Sequence, residues 1–147
     1  MSYSAGRATQ AYANMGVQSK LAAASPYRLI QMLMDGALDR MAIAKGQIVR
    51  KEIANKTQSI TRAIGIIDGL RMSLDHSVNP DLSNNLENLY DYMNRRLLLA
   101  NINNDCEIID EVIGLLRELK EAWDAIPPQM DQGMSESAQQ RMAVANA

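Results

Sequence analysis

Two side chains of this sequence are the obvious candidates for chemistry, the single histidine His76 and the single cysteine Cys106. His76 follows Asp75 near the end of a predicted helix, where a cation is stabilised by the helix C-terminus without any catalytic role. Cys106 lies in the first turn of another predicted helix, whose dipole favours a reactive thiol, but the carboxylates of Asp105 and Glu107 oppose that effect. Neither residue has a neighbour in the sequence that completes an acid–base pair or an activated nucleophile.

Metal-binding and phosphate-binding motifs are missing as well. The sequence has no Glu-x-x-His pair of the kind that holds two metal ions in a helical bundle. It has no glycine-rich phosphate loop. A single cysteine excludes an intramolecular disulfide and fits a reducing compartment. The sequence therefore predicts a protein that is not an enzyme and that has no catalytic residue, cofactor or metal.

The composition is that of a helical protein of about one domain. Of the 147 residues 47% are hydrophobic and only 4% aromatic, whereas ten are methionine, so the apolar surface is aliphatic and flexible. A net charge of −2 with no long basic tract argues against nucleic-acid binding. There is no secretory signal pattern and no apolar run of the roughly 20 residues that a membrane span needs. We expect a cytoplasmic protein without membrane insertion.

Four helices are predicted, and their boundaries follow from capping residues and prolines. Ser25-Pro26 and Asn79-Pro80 each provide a cap and a first turn, and Asp105 is the expected cap of the last helix. The predicted helices run from 26 to about 46, from about 52 to 76, from 80 to the polar turn at 103–105, and from there to 126. We expect an all-α, antiparallel up-down four-helix bundle over 25–126, with a mobile N-terminal arm (1–24) and a disordered, flexible C-terminal tail (127–147).

Apolar stripes on these helices identify the expected core. The last helix has the clearest stripe, because its apolar residues from Ile109 to Ile126 are spaced 3, 4, 3, 4 and 3. Ile53 and Ile60 begin the expected stripe of the second helix. The residues expected to hold the core are Trp123, Leu116, Val112, Leu33, Ile64 and Leu89.

More apolar residues remain than these stripes need. Such a surplus is typical of a wide core, of self-association or of a helix-in-groove partner. Five methionines suit a surface that repacks against varied partners, and two of them, Met41 and Met93, also lie on stripes expected to face the core. The five are Met32, Met34, Met41, Met72 and Met93. The surplus residues are Leu29, Met32, Gly36 and Ile43 in the first helix, Tyr90, Leu98 and Leu99 in the third, and Ile108, Ile113 and Leu115 in the fourth.

The third helix resembles a specific family. Leu89-Tyr90-Asp91-Tyr92-Met93, followed by Arg95-Arg96, Leu97 and Ala100-Asn101, is similar to the third-helix signature of the flagellin-specific export chaperones, the FliS family. Three further segments resemble that family in the expected order. They are Ala24-Ser25-Pro26 with Leu29-Ile30, Met32-Leu33 and Asp35-Gly36-Ala37; Ala63-Ile64 with Ile66-Ile67-Asp68, Leu70 and Leu74-Asp75; and Asn104-Asp105 with Glu111-Val112, Leu115-Leu116 and Ala122-Trp123.

The resemblance implies a function. Members of this family bind the disordered C-terminal segment of flagellin in the cytoplasm, prevent premature polymerisation and assist delivery to the flagellar export gate. The family's N-terminal arm covers part of the binding groove, and its tyrosine matches Tyr12 here. The partner-binding residues implied by the resemblance and the apolar surplus are Tyr12, Leu29, Met32, Leu33, Gly36, Leu86, Tyr90, Met93, Arg96 and Leu97.

Two other functions stay open at this point. A homo-oligomeric structural helical bundle would use the same apolar surplus for self-association, and a weak homodimer is compatible with either function. A nucleic-acid adaptor is the third alternative and the least favoured by the net charge. Arg95-Arg96 would suit an acidic partner, or would simply be solvated and paired within the helix.

Overall fold

Residues 24–126 of the chain are described by a computed structural model, and they form four α-helices and no strand. The helices are α1 (Pro26–Val49), α2 (Ile53–Met72), α3 (Pro80–Asn103) and α4 (Cys106–Asp124). The predicted all-α, four-helix fold is therefore confirmed. Residues 1–23 of the predicted arm and the whole predicted tail (127–147) lie outside the described residues.

Three of the helices begin at the predicted caps. The side chains of Ser25, Asn79 and Asp105 each accept hydrogen bonds from main-chain N–H groups two or three residues further on, at 2.9–3.4 Å. Pro26 and Pro80 occupy first-turn positions, where the missing N–H costs nothing. The local chemistry of these caps therefore fixes where α1, α3 and α4 start.

The end of α2 differs from the prediction, since the helix stops at Met72, four residues early. The Ser73 hydroxyl donates to the Leu70 carbonyl at 2.6 Å. Asp75 then accepts two hydrogen bonds from Ser77, one from its N–H at 2.9 Å and one from its hydroxyl at 2.5 Å. These short polar side chains satisfy the backbone locally and compete with continuation of the helix.

The first helix is longer than predicted, because Gly46 does not end it. A Cβ on Gly46 would lie 2.9 Å from Nη1 of Arg50, so the glycine makes room for that guanidinium. The helix ends at Val49, and Lys51 follows with a φ of 59°. The Arg50 side chain then pairs with Glu52 across the short α1–α2 connection.

The helices form a ring in which α1 and α3 each pack against α2 and α4, so α1 and α3 lie at diagonal corners. Between α1 and α4, Gln31 donates to Asp124 at 2.8 Å. Near the other end of the same two helices, Lys45 pairs with Asp110 at 2.5 Å. Residue numbers rise along one helix as they fall along the other, so α1 and α4 run in opposite directions.

Helices α2 and α3 are also antiparallel and are locked together at one end by a buried lysine. Lys56 is 3% exposed, and its ammonium donates to the Asn101 carbonyl at 2.9 Å and to the Asn104 side chain at 2.8 Å. A cation is favourable there because the carbonyls at the end of α3 carry partial negative charge. At the opposite end, Arg71 of α2 lies 3.7 Å from Glu87 of α3.

The core agrees with the prediction for α4 and differs from it elsewhere. Leu116 and Val112 are fully buried, whereas Leu33, Ile64, Leu89 and Trp123 are half-buried and pack against the core. The prediction was wrong for Ile53, which is 52% exposed because it starts α2 at the end of the bundle. Three of the methionines named above are completely buried, in agreement with the core stripes for Met41 and Met93: Met34, Met41 and Met93.

Candidate binding groove between α1 and α2

His76 and Cys106, the two candidates for chemistry, make ordinary structural contacts. His76 Nε2 lies 3.5 Å from Glu87 Oε2, and both side chains are about two-fifths exposed. The Cys106 thiol is half-buried and donates to the Lys45 carbonyl at 3.7 Å. Within residues 24–126 no three His, Cys, Asp or Glu side chains are placed to hold a metal ion.

The third-helix residues predicted to bind a partner point mainly inward. Tyr90 is 3% exposed, and Met93 and Leu97 are fully buried in the core. Burial raises the pKa of the Tyr90 hydroxyl well above its ordinary value. These three side chains hold α3 against the bundle, and Leu86 packs half-buried beside them. That they also bind a partner stays a prediction.

Arg96 is half-buried and has a partner on α4. Its Nε donates to Glu111 Oε1 at 2.8 Å, and the Tyr92 hydroxyl donates to the other oxygen of Glu111 at 2.5 Å. The hydrogen bond from Tyr92, followed by that from Arg96, holds the pKa of the Glu111 carboxyl below its usual value. Arg96 therefore contributes to the α3–α4 contact. From the sequence, Arg96 was expected to meet an acidic partner, or to be solvated or paired within its own helix, so a contact with α4 was not predicted.

The first-helix residues, in contrast, are partly exposed and share one side of α1. Gln47 marks that side, because its side-chain oxygen accepts a hydrogen bond from Ser59 of α2 at 2.7 Å. On a helix of 3.6 residues per turn, a residue that precedes Gln47 by 4, 11, 14, 15 or 18 positions lies within about 60° of it around the helix axis. Residues at these five spacings therefore share one side of α1 with Gln47. This set faces α2 or the adjoining solvent, and it comprises Ile43, Gly36, Leu33, Met32 and Leu29.

The α2 side of this surface has few bulky side chains. Ile66, seven residues after Ser59, packs half-buried against the core. Gly69 lies one turn further on and closer to solvent, and Gly65 lies on the outer side of the helix. A Cβ built on either glycine meets no described atom within 4 Å. Neither glycine was predicted to belong to a site, although two glycines four residues apart outside the apolar stripe were the signal.

We call this surface the α1–α2 groove, and it has apolar sides and open space along α2. Ile43 is 43% exposed, while the other side chains of the groove are partly buried. Its residues are Leu29, Met32, Leu33, Gly36 and Ile43 of α1 with Ile66 and Gly69 of α2. Because α3 lies at the diagonal corner from α1, the α3 residues predicted for the site do not line this groove. Tyr12 lies outside the described residues.

A second apolar surface lies on the C-terminal half of α3. Leu98, Leu99 and Ile102 are 53%, 38% and 75% exposed, in agreement with the surplus expected at the first two positions. Ile108 and Ile113 of α4, also expected as surplus, are instead buried in the core. The apolar surplus of the sequence is therefore divided between a wide core and two separate exposed surfaces.

The fold and the groove define a class of protein, a small four-helix bundle with a partly exposed apolar surface. A family described as flagellar protein FliS matches residues 8–130. The chain is 44% identical over 120 residues to flagellar secretion chaperone FliSB of Pseudomonas aeruginosa, covering 82% of this chain and 95% of that relative. It is 41% and 43% identical to the flagellar secretion chaperones FliS of Vibrio cholerae and Salmonella typhimurium. Those matches cover 82% and 81% of this chain, and 88% and 89% of the two relatives.

The chain belongs to the FliS family, a family of flagellar secretion chaperones and not of enzymes. The resemblance found in the third-helix segment and in the three other motifs is thereby confirmed. Within the described residues, none of the four helices combines the length and apolarity needed to cross a membrane.

Proposed function

We propose that this protein is a cytoplasmic flagellar export chaperone that binds the disordered C-terminal segment of flagellin. The observation that supports this most directly is the α1–α2 groove, where apolar side chains lie beside Gly69 and a Cβ built on that glycine meets no described atom within 4 Å. A helix or extended segment that is apolar on one face would fill that space. Leu29, Met32, Leu33 and Gly36 are the proposed contacts.

Binding of this kind couples folding of the segment to burial of its apolar face. The flagellin segment loses chain entropy when it orders, and burial of apolar surface offsets that loss at about 25 cal/mol per Å². The segment is then unavailable for polymerisation while it is bound. A complex that keeps flagellin monomeric can be delivered to the export gate, which is the second partner that we propose.

The N-terminal arm is proposed as an internal competitor for the same groove. Residues 1–24 include Tyr3, Tyr12, Met15, Val17 and Leu21, which could cover apolar surface in the absence of flagellin. An occupied groove lowers the apparent affinity for a second ligand in proportion to the unoccupied fraction. Displacement of the arm would therefore accompany flagellin binding.

A titration of the full-length protein with a synthetic flagellin C-terminal peptide tests this proposal. Light scattering should show a mass increase equal to one peptide per chain, and isothermal titration should show saturable binding. His76→Ala and Cys106→Ser should change the affinity by less than about threefold, which corresponds to about 0.7 kcal/mol. Absence of binding to the folded protein would overturn the proposal.

The alternative of a homo-oligomeric structural bundle is favoured by one observation, the exposed Leu98, Leu99 and Ile102 on α3. The same light-scattering experiment separates it from the chaperone function. A stable dimer or higher oligomer that the peptide neither binds nor dissociates would support the structural function. A monomer, or a weak dimer that binds the peptide, would support the chaperone.

A further inference from the structure

Two arginines flank the α1–α2 groove without a carboxylate partner. Arg40 precedes Gln47 by seven residues and so lies on the side of α1 that contacts α2. Arg62 follows Ser59 by three residues, which places it on the α1 side of α2 and closer to solvent. Neither guanidinium has an ion pair or hydrogen bond with another residue of 24–126.

Most other cations of the bundle are paired. Lys45 of α1 pairs with Asp110 of α4 at 2.5 Å, and Lys120 of α4 pairs with Asp35 of α1 at 3.4 Å, for example. The only carboxylate next to Arg40 in sequence is Asp39, which is exposed and lies about 100° away around α1. The α1–α2 groove therefore carries one arginine on each of its helices that has no ion pair within residues 24–126.

The N-terminal arm cannot neutralise that charge. Residues 1–23 contain no Asp or Glu, and their charged side chains, Arg7 and Lys20, are both basic. The first carboxylate of the chain is Asp35, within α1. An arm lying in the groove would bring cations towards Arg40 and Arg62, whereas an acidic segment would form ion pairs with them.

We infer that the α1–α2 groove selects an acidic amphipathic segment, with Arg40 and Arg62 as specificity determinants that favour it over the chain's own basic arm. This inference rests on the proposed function and deepens it by naming the chemistry of the flagellin segment. The bound segment would place carboxylates on both flanks of its apolar face. Each ion pair at a partly exposed site would strengthen binding about two- to fivefold and would weaken with salt.

The test uses the full-length protein and two synthetic peptides. One is the flagellin C-terminal segment, and the other is the same peptide with every Asp and Glu changed to Asn and Gln. Arg40→Gln and Arg62→Gln should each weaken binding of the acidic peptide about two- to fivefold and leave the neutral peptide unaffected. Arg117→Gln is the matched control, because Arg117 is exposed on α4 and also has no partner within 24–126.

A charge exchange provides a second measurement. The Arg62→Glu variant should bind the acidic peptide more weakly than the Arg62→Gln variant does. A peptide in which Lys replaces the acidic residues should restore binding to the Arg62→Glu variant. Equal binding of both peptides by all variants would overturn the inference while leaving the chaperone function intact. A bound segment without any acidic residue would overturn it too. If neither peptide binds the folded protein, the proposed function fails as well.

Discussion

Tyr27 and Trp123 are joined by reciprocal hydrogen bonds and by stacking of their rings. The Trp123 indole N–H donates to the Tyr27 carbonyl at 3.0 Å, and the Tyr27 hydroxyl lies 3.2 Å from the Trp123 carbonyl and 3.1 Å from that of Ile126. The ring centroids are 5.5 Å apart at an interplanar angle of 18°. This contact joins the start of α1 to the end of α4, close in sequence to residues 24 and 126, the two ends of the described part of the chain.

The first prediction follows from that contact. Trp123→Phe keeps an aromatic ring but removes the indole donor, and Tyr27→Phe removes the hydroxyl. Each change should lower the free energy of unfolding by about 1 kcal/mol, the usual net contribution of one hydrogen bond. Denaturant unfolding followed by circular dichroism measures this without relying on the single tryptophan. Unchanged midpoints in both variants would show that the contact contributes nothing to stability.

The second prediction concerns the core of α4. Leu116 is completely buried, so Leu116→Ala should lower the free energy of unfolding by about 2–5 kcal/mol through lost burial and a cavity. Leu98→Ala makes the same chemical change at a site that is 53% exposed, and it should change stability by less than about 0.5 kcal/mol. Similar effects in the two variants would contradict the assignment of Leu116 to the core.

Much of the fold was predictable because it depends on local chemistry. Ser25, Asn79 and Asp105 are caps whose hydrogen bonds form within three residues, so they can be recognised without knowing the rest of the structure. The apolar stripe of α4 was equally clear, since its spacing leaves one face for the core. The early end of α2 was less visible, because Ser73 and Asp75 compete with helix continuation only weakly.

The site was harder to predict, since it depends on which face of each helix meets a neighbour. In α3 both Tyr90 and Leu98 are apolar residues beside the main stripe, yet Tyr90 is buried and Leu98 is exposed. Their order in the sequence does not distinguish them. Both lie one turn from Asn94, whose side chain contacts Asp68 of α2 at 3.1 Å, so long-range packing against α2 decides which of them is covered. The family resemblance implied a kind of partner, but only the geometry shows that Tyr90, Met93 and Leu97 are buried within the bundle.

The third prediction tests whether the open space beside Gly69 in the α1–α2 groove is needed for peptide binding. Gly69→Ala should raise the free energy of unfolding by up to about 1 kcal/mol, because alanine favours the helix and its Cβ meets no described atom. Gly69→Leu should also fold, but its side chain would occupy the open space and weaken binding of the flagellin peptide at least tenfold. Gly114→Leu, at another open glycine on the exposed side of α4, is the control and should bind normally. Normal peptide binding by Gly69→Leu would place the binding site elsewhere.

The fourth prediction is a pH dependence that arises from Glu111. Hydrogen bonds from Tyr92 and Arg96 lower the pKa of this carboxyl in the folded protein below the value of 4.5 expected without them. The resulting stabilisation is present at neutral pH and is lost as the pH falls through the folded pKa. Glu111→Gln should therefore lose less stability between about pH 5 and pH 3 than the wild type does. Glu118→Gln, at an exposed carboxylate of the same helix, should follow the wild-type profile.

The last prediction concerns the arm. If residues 1–24 cover the α1–α2 groove, their deletion exposes apolar side chains, and binding of an apolar dye by the free protein should increase. The bundle should still melt cooperatively, because its core lies within 25–126. Flagellin peptide should then abolish the extra dye signal by occupying the same surface. Peptide affinity is a poorer measure, since Tyr12 would also contact flagellin after displacement and its loss would oppose the gain from removing a competitor. Dye binding that stays at the intact level, or dye and peptide that bind together without competition, would show that the arm does not cover this groove.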